Sequence, residues 1–301
     1  MLENKGGKAD LFLRVILMFN TRKAAIAALF LTAVLWSSGG LAFRMMTLDN
    51  GLAISGYRSF FAAIFYVIAF RALPKMENTG WFKASIFAYM ATTTLFVVAN
   101  TLTTAANAIV LQYTAPIFTC IFIFFIYRTK IPMRDMIATA IIFVGIAVFF
   151  FDSLAMQVGT AATVGNTIAV ASGVSFGLQA VVIGRTAKPH NVFTYGNMFN
   201  VLIALPFILQ NPITSWLDLG IIIYLGVVQI GLAYLLFSFA VKKVAPLELI
   251  LIPALEPLLN PIWVFLFDGQ APTLLAIGGG AIIIVTIVVW SVCKELPGDR
   301  V

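Results

Sequence analysis

The chain is dominated by long apolar segments, each about as long as a helix that crosses a lipid bilayer. Such a helix takes about twenty residues, and ten segments of this kind follow one another along the 301 residues. The pattern predicts an all-α polytopic membrane protein with ten transmembrane helices. We number the segments 1 to 10 in chain order and keep these numbers throughout. Their bounds are 24–45, 52–72, 83–104, 107–127, 134–151, 163–185, 192–210, 219–240, 246–267 and 273–293.

Composition supports a membrane environment. Apolar residues make up 61% of the chain and charged residues 10%, and the mean hydropathy is +1.01. Since a soluble domain is about 25% charged, this chain has too few charges to cover a surface that faces water. The connections between segments are short and carry Gly, Pro, Asn or Asp, so no soluble domain is expected.

The charges of the connecting loops predict the orientation. With the N-terminus placed in the cytoplasm, 17 of the 19 Lys and Arg residues fall on the inner side. Because inner loops of membrane proteins are rich in Lys and Arg, this alternation favours ten crossings, both termini in the cytoplasm and a location in the cytoplasmic (inner) membrane. The outer loops carry acids instead: Asp49, Asp152, Asp218 and Asp268.

The two halves of the chain contain a matching proline. Pro116 in segment 4 and Pro257 in segment 9 are 141 residues apart, close to half the chain. Proline-containing segments at matching places in two halves indicate a transport site. Five crossings are an odd number, so the second half begins on the opposite side and the repeat is inverted. The predicted units are a cytoplasmic N-terminal segment 1–23, five-helix repeats 24–151 and 152–293, and a cytoplasmic tail 294–301.

Other classes of site find little support in the sequence. Cys120, Cys293 and His190 are the whole Cys and His inventory, and their spacing fits neither a disulfide framework nor a zinc site. There is no GxxxxGK[ST] loop, so ATP is not the expected driver. The basic residues form loop clusters rather than a nucleic-acid patch. We therefore expect no cofactor, metal or nucleic acid, and a solute gradient or protons as the energy source.

Several different short motifs follow one another along the chain. The first half contains Leu35–Ser37, Arg58–Ser59 and Thr104–Ala108 followed by Pro116–Phe118, and the second half contains Gly226–Tyr234, Leu255–Pro257 and Gly278–Gly279. Their order and spacing resemble the drug/metabolite transporter superfamily, specifically its ten-span, two-repeat EamA-type members. The resemblance implies a central cavity lined mainly by segments 1, 3, 4, 6, 8 and 9. It also implies secondary transport of small organic solutes, commonly as export.

Glu256 is the sharpest candidate for a functional residue, because acids near the middle of a membrane segment are costly. Pro257 has no N–H and should leave the carbonyl near Pro253 free. Asn260 and Trp263 follow Glu256 on the same helix face. This stripe favours an amine or cation, which the indole contacts through its π face. Glu256 is also a candidate proton carrier; the alternative is a structural acid between helices.

Polar and aromatic side chains at mid-depth in other segments complete the candidate substrate site. For each of them, hydrogen bonding between helices is the alternative role. In an α-helix Tyr234 lies about 140° around the axis from Gln229, so both are not expected to point straight into one cavity. The candidates are Trp36, Ser37, Asn100, Gln112, Tyr113, Ser175, Gln179, Gln229 and Tyr234.

Two arginines lie inside segments near their outer ends. For Arg44 and Arg58 we expect the side chains to extend to the outer interface, which costs less than burial. The alternative for Arg58 is a contact with a substrate carboxylate.

The sequence thus predicts a secondary transporter, with export as the expected direction, for an amino acid, amine or related metabolite. It would act by alternating access, as a monomer or homodimer in the lipid bilayer, with protons as a candidate coupling ion. A flippase for lipid or lipid-linked substrates is the alternative. A channel is disfavoured because no filter loop is visible. A membrane enzyme is also disfavoured, since His190 has no nucleophile partner.

Overall fold

The computed structural model describes residues 21–71, 73–149, 151, 159–259, 263, 266 and 273–294. All regular secondary structure in these residues is helical. Eight of the helical units are long and apolar enough to cross a membrane. The α-helices are Arg22–Ser37 and Gly39–Arg44 in segment 1, Gly51–Phe70 in segment 2, Gly80–Leu102 in segment 3, Ala105–Gln112 and Ala115–Phe122 in segment 4, Met133–Phe149 in segment 5, Thr160–Val182 in segment 6, Pro189–Gln210 in segment 7, Trp216–Tyr224 and Ala233–Ala240 in segment 8, Glu248–Leu251 in segment 9, and Leu274–Lys294 in segment 10.

Segments 5 and 9 are not among the eight. The helix of segment 5, Met133–Phe149, has 17 residues and is short for a crossing. Segment 9 begins with Glu248–Leu251 and a 3-10 turn at Pro253–Leu255, and residues 260–262, 264, 265 and 267 lie outside the described part. The all-helical membrane architecture is confirmed. The number of ten crossings stays a prediction.

Polar loop residues determine where several helices begin. Their side-chain oxygens accept hydrogen bonds from N–H groups of the first turn, which have no partner within the helix. Thr104 does this at the start of segment 4, where apolar character hardly lapses, by accepting from the N–H of Asn107 at 3.1 Å. The same cap occurs at Thr21, Asn50, Thr79 and Ser215.

Two segments depart from α-helical geometry. Segment 4 is interrupted between Gln112 and Ala115 and ends in a π-helical stretch, Ile123–Tyr127. Segment 8 contains a longer π-helical stretch, Leu225–Leu232, between its two α-helices. Such stretches in transmembrane helices frequently mark functional sites.

The two halves pack against each other in a symmetric set of pairs. Segment 3 packs on segment 6 and segment 1 on segment 8; segment 4 packs on segment 6 and segment 9 on segment 1. Segment 2 packs on segment 7, and segment 5 on segment 10. Exchanging each segment with its counterpart in the other half reproduces the same set, which is the arrangement expected of a structural repeat.

Equivalent helices run in opposite directions. Near the start of segment 2, the Tyr57 hydroxyl donates to the carbonyl of Asn211 just past the end of segment 7 at 3.1 Å. At the other end of segment 2, the Phe70 ring stacks on His190 at the start of segment 7, with centroids 4.5 Å apart. The two helices are therefore antiparallel, which agrees with an inverted repeat.

Loop contacts define two ends of the bundle. At one end, Glu77 accepts hydrogen bonds from the backbone N–H groups of Ala187 and Lys188, and Lys242 donates to the Gly184 carbonyl. We call this the basic end. At the opposite end, the acidic end, Asp218 accepts hydrogen bonds from the N–H and the hydroxyl of Thr47 at 3.0 and 2.6 Å. The positive-inside bias predicts that the basic end is cytoplasmic.

Candidate functional site

A narrow polar cavity lies at the centre of the bundle. Its main chamber measures about 40 Å³, and a smaller chamber of about 10 Å³ continues toward the acidic end. Since a water molecule needs about 10–15 Å³, the cavity holds a few waters and is too small for an organic solute in this arrangement. Trp36, Phe96, Gln229 and Glu256 line both chambers. The main chamber is also lined by Arg58, Thr92, Thr93, Gln112, Phe176, Ile230 and Tyr234, and the smaller one by Ser37, Gly39, Gly40, Phe43, Asn100 and Ile109.

Glu256 lies at the wall of this cavity and is held by segment 4. The hydroxyl oxygen of Tyr113 is 2.9 Å from Glu256 Oε2 and 2.9 Å from the carbonyl oxygen of Pro253. Because Pro257, four residues later, lacks an N–H, that carbonyl receives no α-helical hydrogen bond; it accepts instead from the backbone N–H of Glu256 at the end of the 3-10 turn. The Pro253 carbonyl therefore lacks the α-helical bond, as expected from Pro257, but it is not free: it accepts from the Glu256 N–H and from the Tyr113 hydroxyl.

The Tyr113 hydroxyl has one proton to share between two oxygen neighbours. If it donates to the Pro253 carbonyl, its bond with Glu256 requires the carboxyl group to donate in turn. A protonated Glu256 satisfies both contacts at once, whereas an ionised Glu256 competes with Pro253 for the same hydroxyl proton. The geometry therefore suits a carboxyl group that gains and loses a proton.

Arg58 is buried, and the expectation that it extends to the outer interface is wrong. Its side chain is 4% exposed and lines the main chamber. Its Nη2 donates to Gln229 Oε1 at 2.5 Å, and its guanidinium lies 5.1 Å from the centre of the Phe43 ring. A partner on segment 8 and a nearby aromatic ring offset the cost of burial. The side chain of Arg44 lies outside the described part of the chain.

Gln229 and Tyr234 line the same chamber, contrary to the expectation from α-helical geometry. Gln229 lies within the π-helical stretch Leu225–Leu232, whose hydrogen bonds join residues five apart. The wider turn brings a residue and its fifth neighbour toward the same face. Without this stretch, only one of the two side chains would face the cavity.

Aromatic rings surround the main chamber on the side of segments 1, 6 and 8. The Trp36 ring packs on Phe176 with centroids 5.9 Å apart and on Tyr234 at 5.0 Å. Gln112, which also lines the chamber, donates from its amide to the Ser172 hydroxyl at 2.8 Å, and this hydrogen bond joins segment 4 to segment 6. The structure thus brings five of the candidate residues together around the main chamber: Trp36, Gln112, Gln229, Tyr234 and Glu256.

Some predicted residues lie elsewhere. Ser175 donates to the carbonyl of Ala171 in its own helix at 2.9 Å and is not part of the cavity wall. Trp263 lies at the acidic end, where its indole N–H donates to the Ser37 hydroxyl at 2.9 Å. Gln179 is completely buried outside the cavity. Asn260 lies outside the described residues.

Sequence reasoning missed several lining residues, among them Thr93 and Phe176. The repeat contained the information needed to find them. Thr93 precedes Tyr234 by 141 residues and Trp36 precedes Phe176 by 140, nearly the same separation as between Pro116 and Pro257. Positions related by the repeat therefore line the same chamber from opposite sides.

Comparison with known proteins agrees with this architecture. The model of the EamA-like transporter family matches residues 23–151 and again 163–292. The chain belongs to the EamA-like transporter family. An uncharacterized transporter of Archaeoglobus fulgidus is 23% identical over 276 residues, which is 90% of this EamA-like transporter and 97% of that protein.

One solved crystal structure, described only as that of a protein, has the same fold. It superimposes on this EamA-like transporter with a TM-score of 0.77 at 17% identity, over 91% of this chain and 99% of its own. The resemblance found in the sequence is thus confirmed. The protein is a multi-pass membrane transporter and not an enzyme, and a location in the inner membrane agrees with this.

Proposed function

We propose that this EamA-like transporter exports a small zwitterionic solute, such as an amino acid, by alternating access through the central cavity. The observation that carries the proposal is the pair of opposite charges in one chamber. Glu256 and Arg58 both line it, and each is hydrogen-bonded to a neutral side chain: Glu256 to Tyr113, and Arg58 to Gln229. A solute with one ammonium and one carboxylate group can engage both.

The surroundings of each charge suit one end of such a solute. Near Glu256, the rings of Trp36 and Tyr234 offer π faces that attract an ammonium group. The guanidinium of Arg58 is planar and forms paired hydrogen bonds with carboxylates. Phe96 and Ile230 provide apolar surface for a side chain. Simple amines would bind through Glu256 alone and therefore more weakly.

Protons are the proposed coupling ion, with Glu256 as their carrier. The carboxyl group can hold a proton while it donates to Tyr113, or it can be ionised and hold the ammonium group of a solute. Protonation and solute binding at Glu256 then exclude each other. Because of this competition, a proton that moves inward is exchanged for a solute that moves outward.

A flippase for lipid-like substrates is the second candidate, and one observation favours it. An apolar groove of about 430 Å³ lies between segments 1 and 8 at the acidic end, lined among others by Leu41, Tyr224 and Trp263. The Trp263 indole N–H donates a hydrogen bond to Ser37, and Ser37 lines the smaller chamber. The groove and the cavity are therefore separated by a thin wall. A solute with an acyl chain would use both.

The test is a thermal-stability screen of the purified protein with matched sets of three compounds. Each set contains an amino acid, the amine that lacks its carboxylate, and the acid that lacks its amino group. A ligand present at 100 times its dissociation constant adds about 2.7 kcal/mol to the free energy of unfolding. We expect the amino acid to give the largest shift and Glu256→Gln to abolish the advantage of the amino group.

The control is Glu77→Gln, which changes an acid in a loop at the basic end, away from the cavity. This variant should keep the response of the unchanged protein. Equal shifts for all three compounds of a set would contradict the zwitterion proposal. A response to phospholipids alone would favour the flippase.

A further inference from the structure

The central cavity is closed toward the basic end. Beyond Trp36, Phe176 and Tyr234 on that side, buried apolar side chains of both halves form one continuous cluster. Phe237 in segment 8 and Ile183 in segment 6 belong to it, and both are 0% exposed. In contrast, the smaller chamber extends the cavity toward the acidic end. A transporter that works by alternating access must open this cluster in its other state.

One polar side chain is enclosed on the closed side. Gln179 is 0% exposed, and neither its amide nitrogen nor its amide oxygen has a hydrogen-bond partner among the described residues. It lies three residues beyond Phe176, on the same face of segment 6 and toward the basic end. An unpartnered buried amide is costly and rare, so its position requires an explanation.

The inverted repeat supplies the explanation. Trp36 and Phe176 are 140 residues apart and contact each other. The same separation relates Gly39 to Gln179. Gly39 lines the smaller chamber, which leads toward the acidic end. Exchanging the conformations of two inverted repeats turns a path to one end into a path to the other. Gln179 therefore occupies the position of a path residue for the basic end.

Three other residues of the smaller chamber give the same result. A separation of 140 relates Phe43 to Ile183, and a separation of 141 relates Phe96 to Phe237 and Asn100 to Val241. All three counterparts are at most 5% exposed and belong to the cluster that closes the basic end: Ile183, Phe237 and Val241. The residues that the repeat assigns to the second path are thus the ones now packed together.

We infer that Gln179 lines the solute path that opens to the basic end in the alternate state and is a polar contact for solute there. The inference rests on the alternating access of the proposed function. Asn100 is a polar residue of the path to the acidic end, and its counterpart Val241 is apolar. On the path to the basic end, Gln179 supplies the polar side chain that Val241 lacks. Opening of the cluster gives its amide the water or solute partner that it lacks here.

The experiment measures the reactivity of introduced cysteines with a membrane-impermeant maleimide. Cys120 and Cys293 are first replaced by alanine, and Gln179→Cys is introduced into this background. The matched control is Thr194→Cys in segment 7, which lies at a similar distance from the basic end, is 0% exposed, and bonds to the His190 carbonyl of its own helix. Reagent is applied from each side of sealed vesicles in turn.

We expect Gln179→Cys to react at least tenfold faster than Thr194→Cys, and only with reagent on the side of the basic end. Arg22→Gln should raise the rate further. This substitution removes the 2.6 Å ion pair that joins segment 1 to Glu248 of segment 9 at that end. Ile183→Cys tests the same path at a second position if Gln179→Cys does not fold.

Equal rates for Gln179→Cys and Thr194→Cys, or reaction from the acidic end, would overturn the inference. The labelling requires no substrate, so its outcome is separate from that of the solute screen. If Gln179→Cys is labelled as expected but the protein binds no zwitterion, the proposed path is supported and the proposed substrate class is contradicted. If the protein binds a zwitterion but Gln179→Cys is not labelled, the proposed path is contradicted and the proposed substrate class is supported.

Discussion

Arg58 and Glu256 supply the opposite charges of the central cavity, and the repeat does not duplicate either of them there. The position equivalent to Glu256 in the first half, 141 residues earlier, is Ala115. The acid thus comes from the second half and the arginine from the first. A solute that bridges the two charges contacts both halves, so its binding depends on how the halves are placed relative to each other.

The substitution Arg58→Gln should remove the preference for an amino acid over the matching amine. A hydrogen bond to a charged group contributes about 1.5–3 kcal/mol, which corresponds to roughly 10- to 100-fold in the dissociation constant. Titration calorimetry with both compounds would measure the difference. Affinity for the amine should change little, since that compound has no carboxylate.

Arg185→Gln is the control for this substitution. Arg185 lies at the basic end over the ring of Tyr127, at 4.7 Å from its centre, and takes no part in the cavity. Its replacement should leave both affinities unchanged. An amino acid that binds equally well to Arg58→Gln and to the unchanged protein would show that Arg58 holds Gln229 and not the solute.

Tyr113→Phe should lower both the stability of the protein and its affinity for solute. The lost hydroxyl removes one of the two donors to the Pro253 carbonyl and leaves Glu256 Oε2 without its Tyr113 partner. An unsatisfied buried polar group costs about 1–3 kcal/mol. Thermal unfolding in detergent and solute binding would report the two effects. Tyr127→Phe removes a hydrogen bond to the Val181 carbonyl at the basic end and should leave binding unchanged.

At the residue scale, the sequence predicts features that depend on residue chemistry, but not those that depend on how a helix is rotated about its axis. The position of Glu256 and the missing α-helical bond at the Pro253 carbonyl are expected from an acid and a proline inside an apolar segment. Arg58 was missed because its place along segment 2 gives its depth and not the face on which it lies. Gln229, whose hydrogen bond offsets part of the cost of burying Arg58, is 171 residues away in sequence.

At the scale of helices, Pro257 determines the geometry of segment 9 around Glu256. Pro257→Ala restores a backbone N–H, which would compete with Tyr113 for the Pro253 carbonyl. We expect a more regular helix, a stability that is equal or up to about 3 kcal/mol higher, and slower transport in proteoliposomes. A variant that transports at the normal rate would show that the interruption of segment 9 is not needed for function.

Pro206→Ala provides the comparison for this change. Pro206 also lies inside a helix, Pro189–Gln210, but its surface faces outward from the bundle and it takes no part in the cavity. Its replacement should affect stability in the same direction and leave transport unchanged. A loss of transport in both variants would indicate a general effect of helix stiffening.

The positions of the helices were largely predictable, whereas their internal irregularities were not. Apolar length and capping residues such as Asn50 and Thr79 mark helix ends in the sequence. The π-helical stretch Leu225–Leu232 has no comparable mark, since any residue can occupy it. Within it, Gly226 and Gly231 pack closely against the side chains of Phe61 and Phe65 in segment 2. The faces of segment 8 could therefore not be assigned from spacing alone.

At the scale of the whole molecule, the segments that line the cavity are distinct from a peripheral pair of segments. Segments 1, 2, 3, 4, 6, 8 and 9 contribute to the walls of the cavity, and segments 1, 3, 6 and 8 also contribute to the cluster that closes the basic end. Segments 5 and 10 line neither chamber and pair with each other. This pair joins the two halves away from the cavity. We expect its packing to determine the stability of the fold and not the affinity for solute.

Two adjacent glycines of segment 10 allow a sharp test of this division. A Cβ at Gly279 would lie 2.6 Å from the carbonyl oxygen of Gly145 in segment 5, and the backbone of Phe149 is also in contact. Backbone cannot move aside cheaply, so Gly279→Val should cost at least about 1–3 kcal/mol. A Cβ at Gly278 meets nothing within 4 Å, and Gly278→Val should be tolerated.

Measuring the unfolding temperature and the solute affinity of both variants would distinguish a purely structural role of segments 5 and 10 from a role in solute binding. If segments 5 and 10 only join the halves, the folded fraction of Gly279→Val binds solute with normal affinity although it unfolds at a lower temperature. A normal unfolding temperature for Gly279→Val would mean that the two helices do not approach as closely as the structure has them. Normal stability with altered affinity would place the pair among the parts that move, because a change at its interface would then act on the cavity through the relative position of the two halves.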